Sequence, residues 1–301
     1  MADELTRYCG FIGVIGCPNV GKSTLLNQVV GQKISITADK PQTTRNRIYG
    51  IRTQAVHQMV FIDTPGIHTS TKVLNQRINN YALQTLKDVD LLLLLIEPSF
   101  NPSRPPQETE ILQRLGKEIQ NTFLVINKID QISKEALYKV IDGWQKMAEF
   151  AEIIPVSALK GDNMDRLLQL IQKRLPENPF YFEEDQVTNV SERFLAGEFV
   201  REEIFRQMQQ ELPYATAVVV ESWMEEPKII KIFCVIYVER DSQKKILIGH
   251  KGEQLKAIGT NARKKIEGLL GQKVFLDMHV KIRKKWSQDV QFLDSIGLQD
   301  I

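Results

Sequence analysis

The chain has 301 residues, of which 43% are hydrophobic and 25% are charged. This length is enough for about two domains, and the composition is that of an ordinary globular protein, which excludes a disordered or fibrous chain. A net charge of +2 is too small to indicate a nucleic-acid partner by itself, so only a local cluster of charge can do so.

The cysteines and the hydropathy of the sequence indicate in which compartment the protein is expected. The three cysteines, Cys9, Cys17 and Cys234, are widely spaced and form no Cys-x-x-Cys pair, which favours a reduced cytoplasmic compartment over a disulfide framework or a zinc site. The first seven residues contain no apolar segment and predict no secretory signal. The longest apolar run, residues 91–96, is far shorter than the roughly 20 residues of a membrane helix and predicts a buried strand.

Short apolar runs alternate with helical patterns from residue 8 to residue 175. The predicted strands are residues 9–15, 59–62, 91–96, 122–126 and 153–156. The predicted helices are residues 22–31, 73–86, 107–116, 134–148 and 164–175. This alternation predicts an α/β domain with a mostly parallel sheet and helices on both faces.

The first predicted strand leads into a glycine-rich loop, Gly16-Cys17-Pro18-Asn19-Val20-Gly21-Lys22-Ser23, after which Thr24 continues a helix. In such a loop the backbone N–H groups and the helix N-terminus surround phosphate oxygens. Lys22 is predicted to reach the β- and γ-phosphates as a catalytic residue, and the Ser23 hydroxyl to hold Mg²⁺.

A polar segment, residues 40–47, contains two neighbouring threonines, Thr43 and Thr44. A threonine hydroxyl here would close over the metal and the γ-phosphate, and Thr44 is favoured over Thr43 as the metal ligand and catalytic residue. Taken alone, the pattern is more typical of a solvated loop, so this interpretation depends on the other motifs.

The second motif, Asp63-Thr64-Pro65-Gly66, follows the strand at 59–62. Asp63 is predicted to hold the metal through water, and the Gly66 N–H to contact the γ-phosphate, although Asp-x-x-Gly alone is a weak signal. Ile67 then stands where Ras-type enzymes carry the glutamine that orients the attacking water. Because isoleucine neither donates nor accepts, the sequence predicts slow hydrolysis that a partner stimulates. His68 could substitute for the glutamine, but an ordinary histidine of a mobile loop is favoured.

The third motif is Asn127-Lys128-Ile129-Asp130, and it is followed after the last strand by Ser157-Ala158-Leu159. Asp130 would accept hydrogen bonds from the N1–H and the amine of guanine, two donors that adenine lacks. Asn127 would brace the base edge and the phosphate loop, the Lys128 stem would lie along the ring, and the Ala158 N–H would meet the guanine oxygen. Since every motif ends a predicted strand, where open α/β sheets bind ligands, together they predict a GTP and GDP site.

The pattern changes after Pro176. We predict a GTPase domain at residues 1–176, a linker at 177–191 whose aromatics, residues 180–182, pack on a domain, and a second domain at 192–301. In the second domain the sequence predicts a helix at 192–211, strands at 215–223 and 228–239, helices flanking Gly259, a strand at 273–281 and a short helix at 286–293. This order predicts a smaller α+β domain.

A Gly-x-x-Gly turn, Gly249-His250-Lys251-Gly252, stands directly before a predicted helix in the second domain. Such turns clamp single-stranded nucleotides through the backbone in KH domains. The cations predicted to form the RNA groove beside the turn are Lys244, Lys245, Lys256 and Arg263. A solvated helix face remains the alternative for these charges. Trp223 and Trp286 could stack bases, but core packing is favoured for both.

The order of segments 16–23, 42–46, 63–66, 127–130 and 157–159 resembles the translation-factor-related GTPases, and with the second domain the whole chain resembles the Era GTPases. The resemblance implies a type II KH domain that binds the 3′ region of small-subunit ribosomal RNA, and a GTP-hydrolysing switch that assists assembly of the small ribosomal subunit. It implies Mg²⁺ as cofactor, and resemblance to potassium-activated members implies that Asn19 helps to place K⁺. Some members of the family associate with the membrane, so the resemblance also implies a second location at the inner face of the cell membrane. The residues of this chain do not support that location independently.

Two other hypotheses for the function stay open. In the first, the protein is an RNA-binding module whose nucleotide is merely structural. In the second, it is a related GTPase that supports RNA modification or translation. We expect a monomer and no DNA partner.

Overall fold

The structure is a computed structural model that describes residues 6–37, 48–63, 89–99, 108–209 and 211–296. Contacts divide the chain into two units, of which the first contains the described residues 6–34, 48–63, 89–99 and 108–189 and the second contains 35–37, 190–209 and 211–296. The predicted helix at 73–86 lies outside the described residues, and the predicted domain limits stay a prediction. Among the helices within these described ranges, none has the length and hydropathy needed to span a bilayer.

The first unit is built on a six-stranded sheet with the order β2-β3-β1-β4-β5-β6. Its strands are β1 (Tyr8–Gly16), β2 (Ile48–Gln54), β3 (His57–Asp63), β4 (Leu91–Ile96), β5 (Thr122–Ile126) and β6 (Glu152–Pro155). β2 pairs antiparallel with β3 and every other pairing is parallel, which confirms the mostly parallel sheet. Since every residue of β4 and β5 is buried, both faces of the sheet centre are covered.

The described helices of the first unit are α1 (Lys22–Val30), α2 (Thr109–Leu115), α3 (Lys134–Met147) and α4 (Met164–Gln172). Ser133 begins α3 by accepting a hydrogen bond from the Ala136 N–H at 3.3 Å, as an N-cap serine should. Trp144 of α3 is fully buried in a cluster with Leu94 and Ile126 from the sheet. This packing fixes the strands whose carboxyl ends carry the predicted motifs.

The sequence did not predict β2. Its first four residues, Ile48–Ile51, are mostly buried, but its last three are polar and partly exposed, because β2 is the edge strand. Gly50 further interrupts the apolar pattern. A Cβ at this position would lie 2.4 Å from Leu26 Cδ1, so the glycine allows α1 to approach the strand closely.

The second unit contains α5 (Glu192–Gln207), β7 (Ala217–Glu226), β8 (Ile229–Val238), α6 (Asp241–Ile248), α7 (Glu253–Leu270), β9 (Val274–Ile282) and α8 (Val290–Ser295). β7 pairs antiparallel with β8, and β9 pairs parallel with β8. The α-β-β-α-α-β order confirms the predicted α+β domain. Its core joins α5, the sheet and α7 through buried residues that include Phe199, Ile232, Ile236, Ile258 and Ile266.

The prediction of two helices flanking Gly259 is wrong, because α7 runs without interruption through this residue. A Cβ at Gly259 would lie 2.6 Å from Met278 Cε of β9. The glycine therefore allows close packing of the helix on the strand and does not end the helix. The break between helices lies at the Gly249–Gly252 turn instead.

Two buried carboxylates and one lysine join α5 to α7. Lys265 donates hydrogen bonds to the carboxylates of Glu202 and Glu203. Glu202 is 0% exposed and also accepts from the Thr37 N–H at 2.9 Å, within the same unit. Burial by itself would raise the pKa of Glu203, but hydrogen bonds from Lys265 and Gln207 outweigh it and lower the pKa.

Candidate nucleotide site and nucleic-acid loop

The phosphate loop connects β1 to α1, as its motif requires. Gly16 and Gly21 have φ values of 151° and 102°, which favour glycine. A Cβ at Gly16 would lie 2.3 Å from Leu95 O, and one at Gly21 would lie 2.2 Å from Asn127 Nδ2. Leu95 of β4 and Asn127, which follows β5, therefore require glycine at these two positions of the loop.

Lys22 is buried at the start of α1. Its Nζ donates to Gly16 O at 3.0 Å and to Cys17 O at 2.9 Å, so the ammonium group lies inside the curl of the loop. Burial lowers the pKa of Lys22, while the carboxylate of Asp63 opposes this shift. A cation held inside an N–H-lined loop is suited to phosphate oxygens.

Ser23 and Asp63 meet at the carboxyl end of β3. Ser23 Oγ donates to Asp63 Oδ2 at 2.9 Å, and Asp63 is 0% exposed. A hydroxyl and a carboxylate supply the oxygen ligands that Mg²⁺ prefers, so this pair fits the predicted metal site. The predicted residues Thr44, Thr64, Pro65, Gly66 and Ile67 lie outside the described part of the chain.

Asn127 connects the phosphate loop to the segment after β6. Its Nδ2 donates to Val20 O at 2.8 Å, and its Oδ1 accepts from the Ala158 N–H at 2.9 Å. The predicted contact between Asn127 and the phosphate loop is therefore the hydrogen bond from Asn127 Nδ2 to Val20 O. The Ala158 N–H, which the sequence assigns to the guanine oxygen, donates to Asn127 in this structure.

Asp130 is exposed and held by its neighbour in space, Ser157. Ser157 Oγ donates to Asp130 Oδ1 at 2.6 Å and accepts from the Lys160 N–H at 3.2 Å. The serine therefore fixes one oxygen of the carboxylate that is predicted to read guanine. The sequence placed Ser157 in the site but did not predict this contact.

Glu97 is a residue of the site that the sequence did not predict. Its Oε1 lies 2.5 Å from Lys128 Nζ, the side chain whose stem is predicted to cover the base. Glu97 directly follows β4, at the same sheet edge as the other motifs, and this position is the signal that could have identified it. The remaining predicted positions also follow β1, β5 or β6, namely Pro18, Asn19, Thr24, Ile129 and Leu159.

Cys17 is partly buried in the phosphate loop. Burial and the nearby Glu108 carboxyl raise the pKa of this thiol to about 12. The thiol is therefore protonated at neutral pH, and Cys17 contributes a compact neutral side chain to the loop.

The Gly-x-x-Gly turn separates α6 from α7. Gly249 has φ 74° and ψ −177°, and a Cβ there would lie 2.6 Å from Gln254 Cβ. Gly252 has φ 82°, and His250 and Lys251 between the glycines are exposed. The turn therefore presents an exposed cation, Lys251, at the N-terminus of α7.

The predicted cations around the turn differ in their surroundings. Lys256 and Arg263 are exposed on α7, while Lys244 is partly buried on α6. Lys245 Nζ lies 2.8 Å from Asp241 Oδ2, so part of its charge is compensated. Trp286 is 0% exposed and donates to Ala215 O at 3.1 Å, which places this tryptophan in the core.

Comparison with known proteins places both units in described families. Residues 11–128 match the family model described as a 50S ribosome-binding GTPase, and residues 211–287 match the KH domain. A GTPase Era from Geotalea daltonii is 49% identical over 297 residues, which cover 98% of this chain and 99% of that protein.

Two solved structures are similar over nearly the whole chain. An Aquifex aeolicus Era variant bound to GDP·AlF4⁻ has a TM-score of 0.91 and 36% identity, covering 97% of this chain and 100% of that one. An Era in complex with MgGDPNP and nucleotides 1506–1542 of 16S ribosomal RNA has a TM-score of 0.91 and 36% identity, covering 97% of this chain and 99% of that one.

Proposed function

The chain belongs to the GTPase Era family, and from this premise we propose that it is a GTP-hydrolysing switch that binds the 3′ region of small-subunit ribosomal RNA and assists assembly of the small ribosomal subunit. The observation that carries the nucleotide part is the contact of Asn127 with Val20, because it joins the guanine motif to the phosphate loop. The RNA part is supported by the Gly-x-x-Gly turn and its exposed Lys251.

The phosphates would be bound by the loop N–H groups and by Lys22, whose ammonium group already lies inside the loop. Ser23 and Asp63 would hold Mg²⁺, as the MgGDPNP of the solved Era complex supports. The metal, when bound, neutralises charge that develops on the phosphates during hydrolysis. Thr44 and the Gly66 N–H complete the proposed catalytic set.

The guanine base would be read by Asp130, with Ser157 holding one of its oxygens and Glu97 holding Lys128. The chain supplies Ile67 where a water-orienting glutamine would otherwise stand. We therefore propose slow hydrolysis that a bound partner accelerates. Asn19, exposed in the phosphate loop with φ 64°, is the proposed contact for K⁺.

The RNA strand would lie along the Gly-x-x-Gly turn, whose backbone carries little side-chain bulk. Lys251, Lys256 and Arg263 would face its phosphates. We propose that the protein is a monomer. We also propose a cytoplasmic location, which the free state of Cys9, Cys17 and Cys234 supports. Association with the inner face of the cell membrane has only the family resemblance in its support.

The test measures the affinity for an RNA of nucleotides 1506–1542 of 16S ribosomal RNA with GDPNP, with GDP and without nucleotide. A switch predicts affinities that differ between the GDPNP and GDP states, and GTP turnover by the same preparation. Lys22→Ala is the control, because it should abolish the difference while leaving the KH domain unchanged.

Equal affinities in all three states would contradict the switch and support the RNA-binding module with a structural nucleotide. Absence of binding to this RNA, together with capture of a modification enzyme, would instead support the related GTPase of RNA modification.

A further inference from the structure

Residues 176–189, which we call the strap, leave α4 and run back across the sheet of the first unit. At its start, Pro176 O accepts from the Cys9 N–H at 3.1 Å, and the Asn178 N–H donates to Arg7 O at 3.1 Å. The Arg7 guanidinium lies 4.6 Å from the centre of the Phe180 ring. The strap therefore begins as a partner of the first residues of β1.

One buried side chain, Gln58 of β3, holds the middle of the strap. Its Oε1 accepts from the N–H groups of Tyr181 at 2.9 Å and Phe182 at 3.0 Å, and its Nε2 donates to Phe182 O at 2.8 Å. Gln58 is 0% exposed. Sliding of the strap along β3 would leave these buried polar groups without partners, which is unfavourable.

The end of the strap pairs with β2. The Ile51 N–H donates to Val187 O at 2.9 Å, Gly50 forms a bridge with Thr188, and the Tyr49 N–H donates to Asn189 Oδ1 at 2.8 Å. Since β2 is the edge strand, the strap covers its open side.

The contacted part of β2 lies beside the metal site. In the β2–β3 register Tyr49 pairs with Ile62, and Ile48 pairs with Asp63 itself. At the other end of the strap, only Val190 and Ser191 separate Asn189 from the first residue of α5. The chain therefore passes from the strand next to Asp63 to the first helix of the RNA-binding unit with little intervening length.

We propose that the strap couples the two activities: a nucleotide-dependent displacement of β2 and β3 moves the strap with these strands and shifts the start of α5, which changes RNA affinity. Gln58 and Asn189 are then positioning residues for this coupling. The proposal deepens the switch proposed above and depends on it. A flexible tether of the same length would transmit no displacement, so the hydrogen bonds of the strap are the essential feature.

The test compares the ratio of RNA dissociation constants in the GDP and GDPNP states, for the RNA of nucleotides 1506–1542. In the wild type we expect a ratio between about 5 and 150, the usual range of coupling between two sites. Gln58→Leu removes the buried polar contacts and should bring the ratio to within about twofold of 1 on the same scale. GDP affinity and GTP turnover should be unchanged, because Gln58 does not contact the nucleotide motifs.

Gln54→Leu is the matched control, since Gln54 is an exposed glutamine at the end of β2 and should retain the wild-type ratio. If Gln58→Leu fails to fold, a comparison of Asn189→Ala with Asn189→Asp tests the proposal. Only the aspartate keeps an oxygen that can accept from the Tyr49 N–H. Loss of coupling in the alanine variant but not in the aspartate variant supports the proposal.

A folded Gln58→Leu variant that keeps the wild-type ratio would contradict the proposal that the strap couples the two activities. Equal coupling in the two Asn189 variants would contradict it as well. A ratio of 1 in the wild type would instead contradict the proposed switch, on which the proposal for the strap depends. The two failures are therefore distinguishable.

Discussion

Asn127 and Val20 are separated by 107 positions in the sequence and joined by a hydrogen bond of 2.8 Å from Asn127 Nδ2 to Val20 O. The same side chain accepts from the Ala158 N–H, so three loops at one edge of the sheet share one buried amide. The loop that is predicted to read the base and the phosphate loop are therefore connected through one side chain.

Asn127→Ala should weaken GDP binding by about 10- to 100-fold, because it removes both hydrogen bonds and leaves buried backbone groups without partners. Isothermal titration with GDP measures the loss. Asn121→Ala, at an exposed asparagine outside the site, should bind like the wild type. Equal GDP affinity in the two variants would show that the bridge contributes nothing to binding.

Asp130→Asn should exchange guanine preference for xanthine preference, because the amide presents a donor where the carboxylate accepts. Loss of two hydrogen bonds to a charged group predicts a decrease of about 100-fold or more in GTP affinity. Competition between GTP and XTP measures it, and undiminished GTP affinity would refute the assignment. Ser157→Ala should lower GTP affinity less, since Asp130 itself remains and only the two hydrogen bonds of Ser157 Oγ, to Asp130 and from the Lys160 N–H, are lost.

Lys22→Ala should reduce single-turnover GTP hydrolysis by at least about 100-fold, because the charge that stabilises the transferred phosphoryl group is lost. Lys139→Ala, at an exposed position of α3, is the control and should hydrolyse GTP normally. Turnover that survives in Lys22→Ala would remove this lysine from the catalytic set.

Acid should destabilise the second unit through Glu203. Because the folded-state pKa of Glu203 lies below its ordinary value of 4.5, its stabilisation is present above pH 4.5 and is lost as pH falls through the lowered pKa. Lys265→Met should cost about 3–5 kcal/mol at neutral pH, since it removes the cation of buried Glu203 and leaves buried Glu202 with only the longer contact to Arg206, at 3.4 Å. Urea unfolding between pH 3 and pH 7 tests both, and a pH-independent wild type would contradict the assignment.

Lys256→Gln should reduce RNA affinity and lower the slope of log K against log salt by about 0.7, the value for one phosphate contact on a single strand. Lys245→Gln should change the slope less, because Asp241 already compensates that charge. Binding titrations over a range of KCl concentrations give both slopes. Identical slopes for the two variants would argue against a groove at α7.

The described strands show which parts of the fold the sequence could predict. β4 was predicted with its observed limits because a continuous apolar run has one interpretation. β2 was missed because an edge strand with polar residues gives little periodicity. The nucleotide motifs were found because their chemistry lies in consecutive residues. The roles of Gln58 and Glu97 were not, since each depends on a contact with a residue distant in the sequence.

The tryptophans provide a way to follow each unit separately. Trp144 is 1% exposed in the core of the first unit, and Trp286 is 0% exposed in the core of the second. With Trp223 replaced by phenylalanine, the remaining two indoles would report on different cores. Further replacement of Trp144 or Trp286 would leave a single emitter, so intrinsic fluorescence could assign a melting transition to the nucleotide-binding unit or to the RNA-binding unit.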